Sequence, residues 1–131
     1  MIPQLIDRSA SSSAVCELAA KWRIHPELAI RLRQLAQLLP VPVKIISGAR
    51  TCAQQQQLEE EGRPAAACEV STHTTCPATG ADLQLETPSA ALKLAFGMMV
   101  EAVGLRWGGG SARVAGIPLD WNHVDLGPRG A

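Results

Sequence analysis

The chain has 131 residues, and its 12 Lys and Arg balance its 12 Asp and Glu, so the formal charge is zero. That length fits one domain, and the charge balance argues against nucleic acid or an anionic membrane as the main partner. Three Trp, one Phe and no Tyr in a chain that is 47% hydrophobic leave the core to Leu, Ile, Val and Ala.

Residues 1–12 read as an irregular polar lead-in. They lack the basic stretch and apolar run of a secretory signal, and no apolar run approaches the roughly 20 residues that span a bilayer. Synthesis in the cytoplasm is therefore expected. Ser13 is placed to cap a first helix with the stripe Val15, Leu18, Ala19 and Trp22. Pro26 opens a second helix behind His25, with Leu28, Leu32, Leu35 and Leu39 on one face and Pro40 and Pro42 ending it. Val43 to Ser47 reads as a strand. Thr51-Cys52-Ala53-Gln54 is a capping box for a third helix that Gly62 closes.

Residues 63–80 carry prolines and a Thr cluster without periodicity, which predicts a loop. Leu83 and Leu85 alternate with Asp82, Gln84 and Glu86, the pattern of a half-buried strand. Pro88 begins a fourth helix with the stripe Leu92, Phe96, Met99 and Val103, ended by Gly104. Gly108-Gly109-Gly110 reads as a turn, and Trp121 to Leu126 as a last strand with Trp121, His123 and Asp125 on one face. With no repeat and no linker, the expectation is one α+β domain over residues 1–131.

Three segments carry the chemistry: Ser71-Thr72-His73, Gly80-Ala81-Asp82-Leu83 and Asp120-Trp121-Asn122-His123. Two imidazoles and one carboxylate are a recurring way to hold a catalytic zinc with a fourth position open. His73, Asp82 and His123 supply that set. Asp120, three residues before His123, is placed to act as general base toward a water acidified by the metal.

In this order the segments resemble the zinc peptidases that cut peptidoglycan stem peptides. These include D-alanyl-D-alanine carboxypeptidases, the vancomycin-resistance dipeptidases and phage L-alanyl-D-glutamate endopeptidases; the hedgehog signalling domain shares their fold. Ser47-Gly48-Ala49-Arg50-Thr51 with Gln54 to Gln57, and Gly104-Leu105-Arg106-Trp107-Gly108-Gly109, look like two further blocks of that pattern. The resemblance implies a small central antiparallel sheet flanked by helices and a single Zn2+ on His73, Asp82 and His123. It implies Asp120 as catalytic base and Arg50 on a substrate carboxylate or the developing oxyanion. Ser71 would support His73 or touch substrate, and Trp107 and Trp121 would wall the cleft or join the core.

The implied activity is hydrolysis of the stem peptide, by an L-alanyl-D-glutamate endopeptidase or a D-alanyl-D-alanine carboxypeptidase of phage, prophage or bacterial origin. Peptidoglycan would then be the partner, reached after release from the cytoplasm or as part of a phage particle beside phage structural proteins.

Against the family pattern, the interval from His73 to Asp82 is two residues longer, the residue before Arg50 is Ala49 rather than Tyr, and Asp125 stands where Glu or Gln is usual. The longer interval motivates the alternative of a catalytically inactive domain that binds zinc or a partner. Cys16, Cys52, Cys68 and Cys76 would be reduced in the cytoplasm. In an oxidising space a Cys68–Cys76 or Cys52–Cys76 disulfide would stiffen the loop around His73, and Cys68 and Cys76 beside His73 also leave open a structural zinc site.

Overall fold

Period-two burial at two places builds the centre of the molecule. The structure, a computed structural model, describes residues 2–9, 12–63, 66–67 and 71–127. Val43 and Ile45 are buried around an exposed Lys44, and Leu83 and Leu85 around an exposed Gln84. These segments form β2 (Val43–Ser47) and β3 (Gly80–Leu85), paired antiparallel. A register shift between Ile45 and Ser47 sets Ser47 opposite Asp82. A bulge of this kind bends a strand and re-aims its side chains.

Three short strands complete the sheet: β1 (Gln4–Leu5), β4 (Arg106–Trp107) and β7 (His123–Asp125). The order is β1-β2-β3-β7-β4, antiparallel throughout. A separate hairpin pairs β5 (Arg113–Val114) with β6 (Ile117–Pro118). The expected α+β class, a small antiparallel sheet flanked by helices, is the observed one.

The helices are α1 (Ser12–Trp22), α2 (Pro26–Leu38), α3 (Cys52–Glu60) and α4 (Ala90–Ala102). His25 enters α2 as expected: its Nδ1 accepts the Glu27 N–H at 3.0 Å, and Pro26 takes the first turn. The Thr51–Gln54 capping box forms as read. Three boundaries differ. Ser13 lies inside α1, which starts at Ser12. α4 starts at Ala90, two residues after the expected Pro88, and is capped by Ser89, whose Oγ accepts the Leu92 N–H at 3.1 Å. The lead-in is not irregular throughout: Gln4 and Leu5 pair with β2, and Ile6 is buried with its N–H on Val43 O. Nothing in a two-residue strand outweighs its polar neighbours in sequence.

The core face of the sheet, with Val43, Ile45, Ala81, Leu83 and Val124, joins Trp22, Leu28, Leu32, Leu35 and Phe96 in one hydrophobic cluster. The opposite face carries Gly80, Asp82, His123 and Asp125, because side chains alternate along each strand. α4 reaches β4 at Gly97, where an added Cβ would run into the Trp107 ring. That ring cannot retreat easily, since Trp107 Nε1 donates to Trp121 O at 2.7 Å. Gly97→Ala is therefore expected to destabilise by about 1–3 kcal/mol through overpacking, less the roughly 1 kcal/mol that alanine gains in a helix. A thermal melt should show a lowered Tm; a raised one would mean the indole has room to move.

Candidate metal centre

Asp82 and His123 are direct cross-strand partners in the β3–β7 ladder. Opposed residues on one face of an antiparallel pair bring their Cβ atoms within about 4.5–5.5 Å, so strand register alone makes these side chains meet. His73 arrives from the loop before β3. Thr72 O accepts both the Thr79 N–H at 2.9 Å and the Gly80 N–H at 3.1 Å. The stretch between them is thus a closed excursion, which takes up the longer interval while leaving His73 beside β3. The Arg50 N–H donates to His73 O at 2.7 Å, and Ser71 Oγ accepts the His73 N–H at 3.1 Å. Ser71 accordingly supports His73, and it also lines the cleft.

The three donor atoms form a nearly equilateral triangle. His73 Nε2 is 3.1 Å from His123 Nδ1 and 3.3 Å from Asp82 Oδ1, and His123 Nδ1 is 3.2 Å from the same oxygen. Tetrahedral zinc with bonds of about 2.0–2.2 Å holds its ligands about 3.3–3.5 Å apart. The triangle therefore fits one such ion, which would draw these three side chains little from where they stand. No other group of three His, Cys, Asp or Glu among the described residues meets that requirement.

The far side of each ring is also set. His73 Nδ1–H donates to Gly48 O at 2.7 Å, and His123 Nε2–H donates to Asp125 Oδ2 at 2.7 Å. In the neutral ring each bond fixes the tautomer that leaves the inward nitrogen's lone pair free, the usual arrangement around a ligating histidine. Asp125 is fully buried and holds Arg106 in a two-point contact, both bonds 2.9 Å. Its Oδ1 also accepts the Gly127 N–H at 2.8 Å. In sequence Asp125 stands out as sharing a strand face with His123 and as a departure from the family pattern, with no role assigned to it or to Arg106. The signal available was the His-x-Asp spacing, which puts two acceptors of one proton on the same strand face.

Electrostatics follow this wiring. Burial alone would lower the His123 pKa, but hydrogen bonds to Asp125 and Asp82 overcome it and push it up to about 9. For Asp82 burial acts upward and is outweighed by hydrogen bonds from His123 and His73, so the carboxyl sits far below the ordinary range. In Asp125 burial is likewise outweighed, by His123 and then Arg106, and its pKa is lowered. Asp120 goes the other way: burial first, then the Asp82 charge, raise its pKa.

The triangle opens on a cleft of about 470 Å³ lined by Asp82, His123, Asp120, Arg50, Ser71 and the Gly108–Gly110 turn, among others. Asp120 is half-buried there, its N–H on Ser111 Oγ and its carbonyl on the His123 N–H. Among the described residues its carboxylate makes no hydrogen bond. Arg50 reaches the cleft but is already engaged, donating from Nη2 to Asp82 Oδ2 and from Nη1 to Gln55 Oε1. Trp121 stands outside the cleft lining, its ring edge-on to Phe96 and under Lys93 Nζ, and Trp107 packs toward α4.

The cysteine expectations change. Cys76 is a free, exposed thiol, as is Cys16, so neither Cys68–Cys76 nor Cys52–Cys76 is bonded. Cys52 is nevertheless in a disulfide, at the start of α3. Cys68, needed for the alternative zinc site, lies outside the described residues.

No helix among the described residues is long and apolar enough to cross a membrane. No family model matches the chain, and no curated protein does. Among solved structures the chain is similar in fold to the L-Ala D-Glu endopeptidase ChiX of Serratia marcescens. The TM-score is 0.60 at 17% identity, over 82% of this chain and 85% of that one.

Proposed function

We propose that this protein is a zinc-dependent peptidase that hydrolyses peptidoglycan stem peptides, most directly at the L-alanyl-D-glutamate bond. The observation that carries the reading is the His73–Asp82–His123 triangle, set for one metal, with the uncommitted Asp120 carboxylate beside it on a peptide-sized cleft. The fold shared with an L-Ala D-Glu endopeptidase supports it.

In this reading a zinc ion held by the three side chains supplies Lewis acidity, polarising the scissile carbonyl and acidifying water. Asp120 takes the proton of the attacking water and delivers it to the leaving amine nitrogen. Arg50, just ahead of α3 and bonded to Gln55 within it, steadies Asp82 through the outer carboxylate oxygen. Its remaining N–H groups serve the developing oxyanion.

The test is digestion of purified peptidoglycan by the zinc-loaded protein, with and without a chelator, reading released ends by mass spectrometry. New N-terminal D-Glu ends that disappear with chelator are expected. Released D-Ala would move the reaction to the carboxypeptidase class. No release from several wall types, by protein shown to be folded and zinc-loaded, would favour a non-catalytic zinc- or partner-binding domain of this fold.

A further inference from the structure

Among the described residues three arginines line the cleft: Arg50, Arg63 and Arg106. Two are committed. Arg50 is bonded to Asp82 and Gln55, and Arg106 gives Nε and Nη2 to the buried Asp125. Among the described residues the nearest acid to Arg63 is Glu61, at 3.9 Å, with both side chains about half exposed or more, 65% and 46%. A contact that long between solvated groups contributes little. Glu61 is drawn elsewhere as well, its Oε1 accepting from Gln57 Nε2 at 3.2 Å.

The backbone beneath this free cation is nonetheless fixed. Arg63 N–H donates to Leu58 O at 3.1 Å and Gly62 N–H to Glu59 O at 3.0 Å, with Gly62 at φ +73°. That pair of bonds is the Schellman closure of a helix, which needs a left-handed residue where Gly62 stands. The other end of α3 is held by the capping box and by the Cys52 disulfide. A helix capped at both ends thus presents Arg63 at the cleft edge, with Leu58 and Gln55 lining the way back to Arg50.

We infer that Arg63 anchors a carboxylate of the bound peptide at the end of the cleft away from the metal triangle. This rests on the peptidase reading and names the substrate as an acidic peptide. The nine residues of α3 rise about 13 Å at 1.5 Å each. Extended peptide advances about 3.3 Å per residue, and the arginine stem reaches part of the way back. The carboxylate therefore belongs to a residue two to three positions from the scissile bond, either a side-chain carboxyl or the peptide's C-terminus. A guanidinium suits that group because its paired N–H groups match two carboxylate oxygens.

The test measures binding by calorimetry to zinc-loaded protein carrying Asp120→Asn, so that peptide is not consumed. The probes are synthetic L-alanyl-D-glutamyl stem peptides with all carboxyls free, with the distal side-chain carboxyl as carboxamide, or with the C-terminus as carboxamide. One of the two amides is expected to bind about three- to tenfold more weakly, which identifies the carboxylate. Adding Arg63→Gln should cost the free acid the same factor and abolish the difference between acid and amide, while Arg63→Lys keeps part of it. Unchanged affinity in Arg63→Gln, an amide penalty that persists in it, or no binding of any peptide would overturn the inference. Wall digestion by the unmodified protein keeps the two readings apart. Arg63-dependent binding without cleavage sinks the peptidase and spares the anchor; cleavage with KM indifferent to Arg63→Gln does the reverse.

Discussion

Asp120→Asn is expected to lower turnover by about 10²- to 10⁴-fold, the usual contribution of a positioned acid–base group, while zinc stays bound. The substitution keeps the shape and removes only the ability to carry a proton. Asp120 is not in the ligand triangle, and its backbone bonds to Ser111 and His123 do not involve the carboxylate. Fold and metal content should therefore match the parent, which a melt and metal analysis can check beside the mass-spectrometric assay. The limb of the parent's kcat/KM profile that reports this proton carrier should vanish in the variant's residual activity. Full activity in Asp120→Asn would remove it as the base and move the search to another cleft group.

What the sequence made legible is what local chemistry decides. The stripe of α2 with His25 and Pro26, the capping box of α3 and the alternation in β2 and β3 each arise within a few residues, and each appears in the structure. His73, Asp82 and His123 stood out by residue type and order, and the fold brings them together. Contacts set by distant pairing were not legible. β1 and β4 to β6 are two residues each and exist because a neighbouring strand offers an edge. The engagement of Arg50 with Asp82 depends on where the end of β2 meets β3, which no spacing along the chain encodes. Arg106 and Asp125 meet because Arg106 pairs with Asp125 in the β4–β7 ladder, across 19 positions of sequence.

That same pair sets the last expectation: Asp125→Asn should weaken zinc binding by about 10- to 100-fold, the usual cost of removing a ligand's outer partner, and the loss should depend on pH. An asparagine can still accept the His123 Nε2–H with its oxygen, but its NH2 would then face the Arg106 guanidinium, donor against donor. His123 loses the negative charge that makes its ring a stronger ligand, and Arg106 loses its two-point partner. In the metal-free protein His123 titrates at about 9, above the unfolded value near 6.5. The stability it lends is thus present below pH ~6.5 and lost as pH rises through ~9. Zinc needs the neutral ring, so below pH ~9 it must displace that proton, and apparent affinity should fall about tenfold per unit of pH on that account. Asp125→Asn loosens the proton as well as the metal. The deficit should therefore be largest at and above pH 9, where no proton competes, and smaller near pH 7, where easier deprotonation returns part of it. Competition titrations against a chromophoric chelator at both pH values measure this directly. Equal affinity of variant and parent at pH 9 would show that the buried Asp125 serves Arg106 and the strand pairing rather than the metal site.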